Sequence, residues 1–347
     1  MFTVDKSGYK KILINFYRQI EESKAIFEQA KIAVDTSQID NICYLGIGAS
    51  GLAGDLLHDV LFDELLKPMD VVRSYFAPQF CNERTLVIAS SYSGDTEETI
   101  SATKLALEKG AQVVCVTSGG ALSELARSKN LPVLQLPKNY TSRQAFGYLF
   151  FPVYHLLGHL KLLRNYDAEL KELIQFVKKI GERNDYPHVR GYVLSRELAN
   201  TIHNKIPIIY STAPYLKSVS LSWKNEIQQK AKSLAFFNVI PEMNHNEIIG
   251  WEMDSPLLKN FIVIFLENKD VHPRILKRIE LTKKIIKSKG VEVVDIYADG
   301  TTVMEKVFCL ILLGDWVSYY LALLYKKDPS EIAHVDYLKE EMAKLKE

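Results

Sequence analysis

Five short apolar runs, at 42–46, 71–75, 86–90, 113–117 and 133–136, punctuate the first part of the chain, with polar amphipathic stretches or turns between them. No other feature limits the possible folds so strongly. Runs too short for helices, and apolar continuously rather than at alternate positions, belong to strands buried on both faces, so a parallel sheet covered by helices is expected. A second series at 206–210, 234–239, 261–266 and 291–297 alternates with helical stretches in the same manner. Residues 148–182 have the pattern of a long helical connection, and 192–204 that of another helix. At 347 residues the chain exceeds the usual size of one domain. The expected division is an N-terminal α/β domain over 1–155, a helical connection over 156–200, and a second α/β domain with C-terminal helices over 201–347.

Charge and cysteine usage narrow the function classes. Forty-three basic residues against forty-two acidic ones leave a formal charge of +1, so no overall field recruits nucleic acid or an anionic membrane. Cys43, Cys81, Cys115 and Cys309 form no C-x-x-C pair, and buried reduced thiols are expected. The opening MFTVDKSGYKK lacks the apolar core of a secretory signal, and a cytoplasmic location is the expectation. Residues 307–325 are almost long and apolar enough to span a bilayer, but Gly314, Asp315 and Ser318 interrupt their centre. A buried soluble helix is the better reading.

Two loops carry the chemistry. Gly46-Ile47-Gly48-Ala49-Ser50-Gly51 follows the first apolar run, and Ser90-Ser91-Tyr92-Ser93-Gly94-Asp95-Thr96 follows the third; each opens a helix-like stretch. Backbone N–H groups at a helix start face the positive end of its dipole, and neighbouring hydroxyls add donors for phosphate oxygens. With the strand order 2-1-3-4-5, the first and third strands are neighbours and their loops meet across one crevice. The first loop also matches the G-x-G-x-x-G dinucleotide fingerprint. That reading wants an acidic residue ending the second strand, where this chain has Val71-Val72-Arg73-Ser74-Tyr75, and it leaves the hydroxyls of Ser91, Ser93 and Thr96 unexplained.

G-I-G-A-S-G followed by S-Y-S-G-D-T and C-V-T-S-G-G resembles the sugar isomerase, or SIS, domain. Three later segments extend the resemblance along the chain: W-K-N-E-I-Q-Q-K-A-K, P-E-M-N-H-N-E-I-I-G-W and D-P-S-E-I-A-H-V-D-Y-L-K. Together they are similar to the bifunctional phosphoglucose/phosphomannose isomerases, which are built from two such domains and act as dimers. The fold this implies is a pair of SIS-type domains, each a parallel sheet flanked by helices in a flavodoxin-like strand order. The activity it implies is interconversion of fructose 6-phosphate with glucose 6-phosphate or mannose 6-phosphate through an enediolate.

On that resemblance Ser50, Ser91, Ser93 and Thr96 match the positions that hold the sugar phosphate, with Gly48 and Ala49 beside Ser50 in the same loop. Arg143 matches the residue that stabilises the enediolate, His245 the ring-opening histidine reaching in from the neighbouring subunit, and Lys339 a C-terminal lysine near substrate. Such chemistry wants an acid/base group near neutral pH, a positioned base for the C1–C2 proton transfer, and a cation beside the oxyanion. The base is where this chain departs. The family's glutamate position is Gln229, an amide that cannot accept the proton. Glu226 lies three residues earlier on the same helix face and is the expected substitute, ahead of Glu242 and Glu247. Ile332 and Ala333 also depart from the family pattern near the tail. A sugar-phosphate-binding regulatory protein is the alternative that Gln229 leaves open, and a different isomerase or an amidotransferase-like enzyme acting on an amino sugar phosphate is a third.

His155 and His159 have the i, i+4 spacing of a zinc helix without its glutamate, and a packing role is expected. No metal or organic cofactor is implied. The expected partners are the sugar phosphate and a second copy of the chain, with no nucleic acid and no membrane.

Overall fold

A computed structural model describes residues 4–185 and 194–345. Through the first part of the chain the order is α1 (Tyr9–Ile14), α2 (Tyr17–Gln29), β1 (Asn41–Leu45), α3 (Gly48–Val60), β2 (Met69–Val72), β3 (Thr85–Ser90) and α4 (Glu97–Glu108). Then come β4 (Gln112–Thr117), α5 (Gly120–Ser128), β5 (Val133–Gln135), α6 (Phe146–His159) and α7 (Lys171–Asp185). The second part holds α8 (Leu194–Ile202), β6 (Ile206–Thr212), α9 (Lys217–Glu226), β7 (Phe236–Ile240), β8 (Phe261–Glu267), α10 (Pro273–Ser288), β9 (Glu292–Tyr297), α11 (Val303–Leu324) and α12 (Ala333–Met342). Residues 192 and 193, where the helix ending near 204 was expected to begin, lie outside the described residues. Two compact units result, one of Asn15–Gly181 with Thr302–Glu305, the other of Met1–Ile14, Glu182–Thr301 and Lys306–Glu347.

The first unit contains the parallel sheet β2-β1-β3-β4-β5, which is the expected order. Cys43, Leu45, Val87, Ala89, Val113 and Cys115 point to one face, where Ala102 and Ala106 of α4 and Leu122 and Ala126 of α5 pack on them. Successive strand residues alternate faces, so Tyr44 points the other way. There α3 approaches so closely that a Cβ on Gly54 would lie 2.6 Å from the Tyr44 ring. The helices after β1 and β3 thus cover opposite faces, the condition for a crevice between their strand ends. β2 lies two residues earlier than its apolar run suggested, because it pairs in register with β1 from Ile42↔Met69 to Leu45↔Val72. Cys43 and Cys115 are buried and free, and burial pushes the Cys115 thiol up to about 12.

The long helix expected over 148–182 is instead two helices. α6 ends at His159, Lys161 turns left-handed at φ +56°, and α7 begins only at Lys171. The intervening segment folds back so that Tyr166 lies against Gly158, where a Cβ would be 2.2 Å from its ring. Its hydroxyl lies 2.9 Å from His155 Nδ1, while His155 Nε2 lies 3.0 Å from Ser23 Oγ. Both ring nitrogens are therefore engaged in packing, and burial holds His155 down at about 4.

The second unit contains the parallel sheet β7-β6-β8-β9. Tyr210, Ile240, Val263 and Phe265 pack with Ile279 and Ile286 of α10. α11 is long and apolar enough to cross a membrane, yet 72% of its most apolar stretch is buried. Its interruptions have packing causes. Gly314 leaves room for the Trp223 indole, which would lie 2.5 Å from an added Cβ and donates to Leu310 O at 2.8 Å. Asp315 forms an ion pair with Lys230, and Ser318 Oγ donates to Asp315 O at 3.0 Å. Tyr9 and Leu13 of α1 pack on Trp316 and Tyr319.

Candidate functional site

β1 and β3 are hydrogen-bonded neighbours from Asn41↔Thr85 to Leu45↔Ala89, so the loops 46–51 and 91–96 leave adjacent strand ends. The first loop is a tight turn: Gly48 has φ +60°, and a Cβ on Gly51 would meet Gly46 O at 2.4 Å. Ser50 is thereby buried in the first turn of α3, with Gly48 exposed and Ala49 half-buried beside it. The Tyr92 N–H donates to Ser50 Oγ at 3.3 Å, which joins the two loops directly.

In the second loop Ser91 is buried, with its Oγ 2.9 Å from Thr96 Oγ1 and accepting from the Gly94 N–H at 3.1 Å. Ser93 is exposed, and its Oγ accepts from the Asp95 N–H at 3.3 Å. Thr96 stands at the N-cap of α4 without a side-chain capping bond. The first N–H groups of a helix lack partners within it, and here the first intrahelical bond to the cap runs from Ile100 N to Thr96 O. Ser50, Ser91, Ser93 and Thr96 are thus brought to one rim of the sheet, with the N-terminal end of α4 beside them.

Residues beyond the expected phosphate-holding hydroxyls brace this rim. Gly94 adopts φ +80° and approaches the third loop so closely that a Cβ would lie 1.8 Å from Gly119 O. Asp95 Oδ1 accepts from the Ala121 N–H at 2.9 Å, and Ser118 Oγ donates to Tyr92 O at 2.7 Å. The Tyr92 hydroxyl donates to Pro137 O at 2.7 Å and accepts from the Tyr140 N–H at 3.1 Å. None of these pairings has a local sequence signal except the glycine itself. Arg143 is half-buried in the turn before α6, where the Thr141 N–H donates to Gln144 Oε1 at 2.8 Å. After that turn the helix begins at Phe146.

In the second unit, β6 ends without a glycine-rich turn. α9 ends at Glu226 and passes into a π-helical turn, Ile227–Ala231, with Lys232 left-handed at φ +55°. Such turns are rare and recur at functional sites. Glu226 is 8% exposed and its Oε2 lies 2.9 Å from the Nζ of Lys230, which has no exposed surface. Lys230 Nζ also lies 2.7 Å from Asp315 Oδ1 and 4.7 Å from the centre of the Tyr9 ring. Burial pulls Lys230 down, but Asp315 and Glu226 outweigh it and the net direction is up; burial raises Asp315 to about 6 against the pull of Lys230.

Gln229 is half-buried, and its carbonyl accepts from Lys232 Nζ at 2.7 Å. His245 is exposed in a 3₁₀ turn after β7. Its acidic neighbours are engaged: Glu247 accepts from the Tyr210 hydroxyl and from Asn238 Nδ2, and Glu242 accepts from Asn246 Nδ2 at 2.7 Å. Lys339 is exposed on α12. Among the described residues no group of three or more His, Cys, Asp or Glu side chains has the arrangement of a metal site.

Residues 37–146 match the SIS domain model, and residues 194–342 match the bacterial phospho-glucose isomerase C-terminal SIS domain model. The chain is 36% identical over 333 residues to a bifunctional phosphoglucose/phosphomannose isomerase of Caldicellulosiruptor bescii, covering 96% of this chain and 98% of that one. It is 34% identical over 337 residues to a protein of the same name from Aquifex aeolicus, again covering 96% and 98%. A hypothetical protein of Thermus thermophilus shares the fold, with a TM-score of 0.74 at 15% identity over 98% of this chain and 91% of that one. Two matched SIS domains, two parallel sheets and relatives alike over nearly the whole length lead to one conclusion: the chain belongs to the bifunctional phosphoglucose/phosphomannose isomerase family.

Proposed function

We propose that this protein interconverts fructose 6-phosphate with glucose 6-phosphate and with mannose 6-phosphate. The observation that carries the reading is the joining of the two hydroxyl-rich loops at neighbouring strand ends by the bond from the Tyr92 N–H to Ser50 Oγ. The phosphate is held by Ser50, Ser91, Ser93 and Thr96 with the backbone of Gly48 and Ala49, an arrangement of neutral donors near helix starts suited to a dianion. His245 opens the sugar ring, Glu226 carries the proton between C2 and C1, and Arg143 offsets the charge of the enediolate, with Lys339 near substrate. Gln229, unable to take a proton, is a polar neighbour of the reaction rather than its base. The active species is a cytoplasmic homodimer in which His245 serves the neighbouring copy.

The test is turnover. Purified protein given fructose 6-phosphate, with glucose 6-phosphate and mannose 6-phosphate formation followed by coupled assays, is expected to yield both aldoses. Binding of fructose 6-phosphate without either product would overturn the reading in favour of a sugar-phosphate-binding protein.

A further inference from the structure

Lys230 has no exposed surface, and its surroundings are specific. The end of α9 supplies Glu226 at 2.9 Å, α11 supplies Asp315 at 2.7 Å, and α1 supplies the face of the Tyr9 ring at 4.7 Å. Further out on α1's side, Asp5 accepts from the Tyr319 hydroxyl at 3.3 Å. Burying an ammonium is costly unless it is paired, and one carboxylate would suffice for neutrality. The second makes the ionised cluster carry a net −1 in a place where net charge is disfavoured. A proton arriving on either carboxylate brings the cluster to zero, and Asp315 is accordingly held near the neutral range, up at about 6, by its burial.

We propose that Lys230 and Asp315 are positioning residues for Glu226: Lys230 fixes the Glu226 carboxylate, and Asp315 keeps Lys230 paired whenever Glu226 carries the substrate proton. The inference rests on Glu226 being the base. In the aldose-to-ketose direction the C2–H bond breaks, its electron pair forms the C1=C2 bond while the carbonyl pair moves to O1, and the proton passes to a Glu226 oxygen. Return of that proton to C1 breaks the Glu226 O–H bond, and the C1=C2 pair forms the new C1–H bond; the O2–H bond breaks, its pair closes the C2=O2 ketone, and the hydroxyl proton passes from O2 to the O1 alkoxide. Throughout, Lys230 has a carboxylate partner, and the cluster alternates between −1 and zero.

Three variants test this, read as pH profiles of kcat with KM recorded alongside. Asp315→Asn leaves Lys230 and Glu226 as a neutral pair, so protonating Glu226 strands a buried cation. Its kcat at neutral pH is expected to fall about tenfold with KM within about twofold, and the acid limb to move down by about one pH unit. Lys230→Met combined with Asp315→Asn leaves Glu226 alone in an apolar setting, and the acid limb is expected to move up by about one unit. Shifts of opposite sign are something that mere structural damage does not produce. Glu226→Gln, expected to lose about a thousandfold in kcat, separates the two readings. If it keeps turnover, the base assignment fails; if it loses turnover while the other two profiles keep the parent acid limb, the positioning role is overturned and the base assignment stands. Should Asp315→Asn not fold, the double variant decides alone, since it strands no cation.

Discussion

Ser91 is buried, but its hydroxyl faces Thr96 and the Gly94 N–H rather than the sheet, so its removal tests binding more than folding. A hydrogen bond to a charged group contributes about 1.5–3 kcal/mol. The Ser91→Ala, Ser93→Ala double variant is therefore expected to raise KM for fructose 6-phosphate by about 100-fold or more with kcat within about threefold, measured by initial rates. Gly94→Ala is expected to be worse on both counts, because its Cβ would overlap Gly119 O at 1.8 Å from a φ of +80°. Gln229→Glu should change kcat by less than about threefold if Glu226 carries the proton. The loops were legible in the sequence because their glycines and hydroxyls are contiguous. The pairing of Lys230 with Asp315 was not, since it joins residues 85 positions apart and only the fold brings them together. The one local hint was the i, i+4 spacing of Glu226 and Lys230.

At the scale of elements, β1, β3, β4 and β8 fell within a residue or so of their apolar runs because strands buried on both faces are written in continuous hydrophobic sequence. β2, at the sheet edge with exposed Asp70, was displaced because pairing with β1, not its own composition, sets its register. The break between α6 and α7 was hidden for a related reason: the segment there is held by Tyr166 on Gly158 and His155, contacts without periodicity. His155 yields a pH prediction. Its folded value of about 4 lies below the ordinary 6.5. Its contribution to stability is thus present above 6.5 and is lost as pH falls toward 4, amounting to roughly 3 kcal/mol if the whole shift is expressed. The fall in Tm over that interval, followed by calorimetry, is expected to be shallower in His155→Leu than in the parent, though its Tm at pH 8 is lower. Gly314→Ala, which drives a methyl into the Trp223 indole, is expected to cost about 1–3 kcal/mol, measurable by urea unfolding with tryptophan fluorescence.

For the whole molecule, affinity for a phosphorylated sugar translates into resistance to unfolding by mass action. At a fructose 6-phosphate concentration about 100 times its Kd, the expected gain is about 2.7 kcal/mol, seen as a higher Tm, while unphosphorylated fructose at the same concentration gives none. The last helix has a different consequence. Among the described residues α12 buries none of its side chains, and Val335, Tyr337, Leu338 and Met342 are all exposed on it. Ten residues of isolated helix are marginal in water, so the tail that bears Lys339 needs a second surface to settle on. If a sister molecule furnishes that surface, dilution should erode specific activity, with a lag on reconcentration, well before it touches the melting of either sheet. The enzyme would then be tuned by its own abundance.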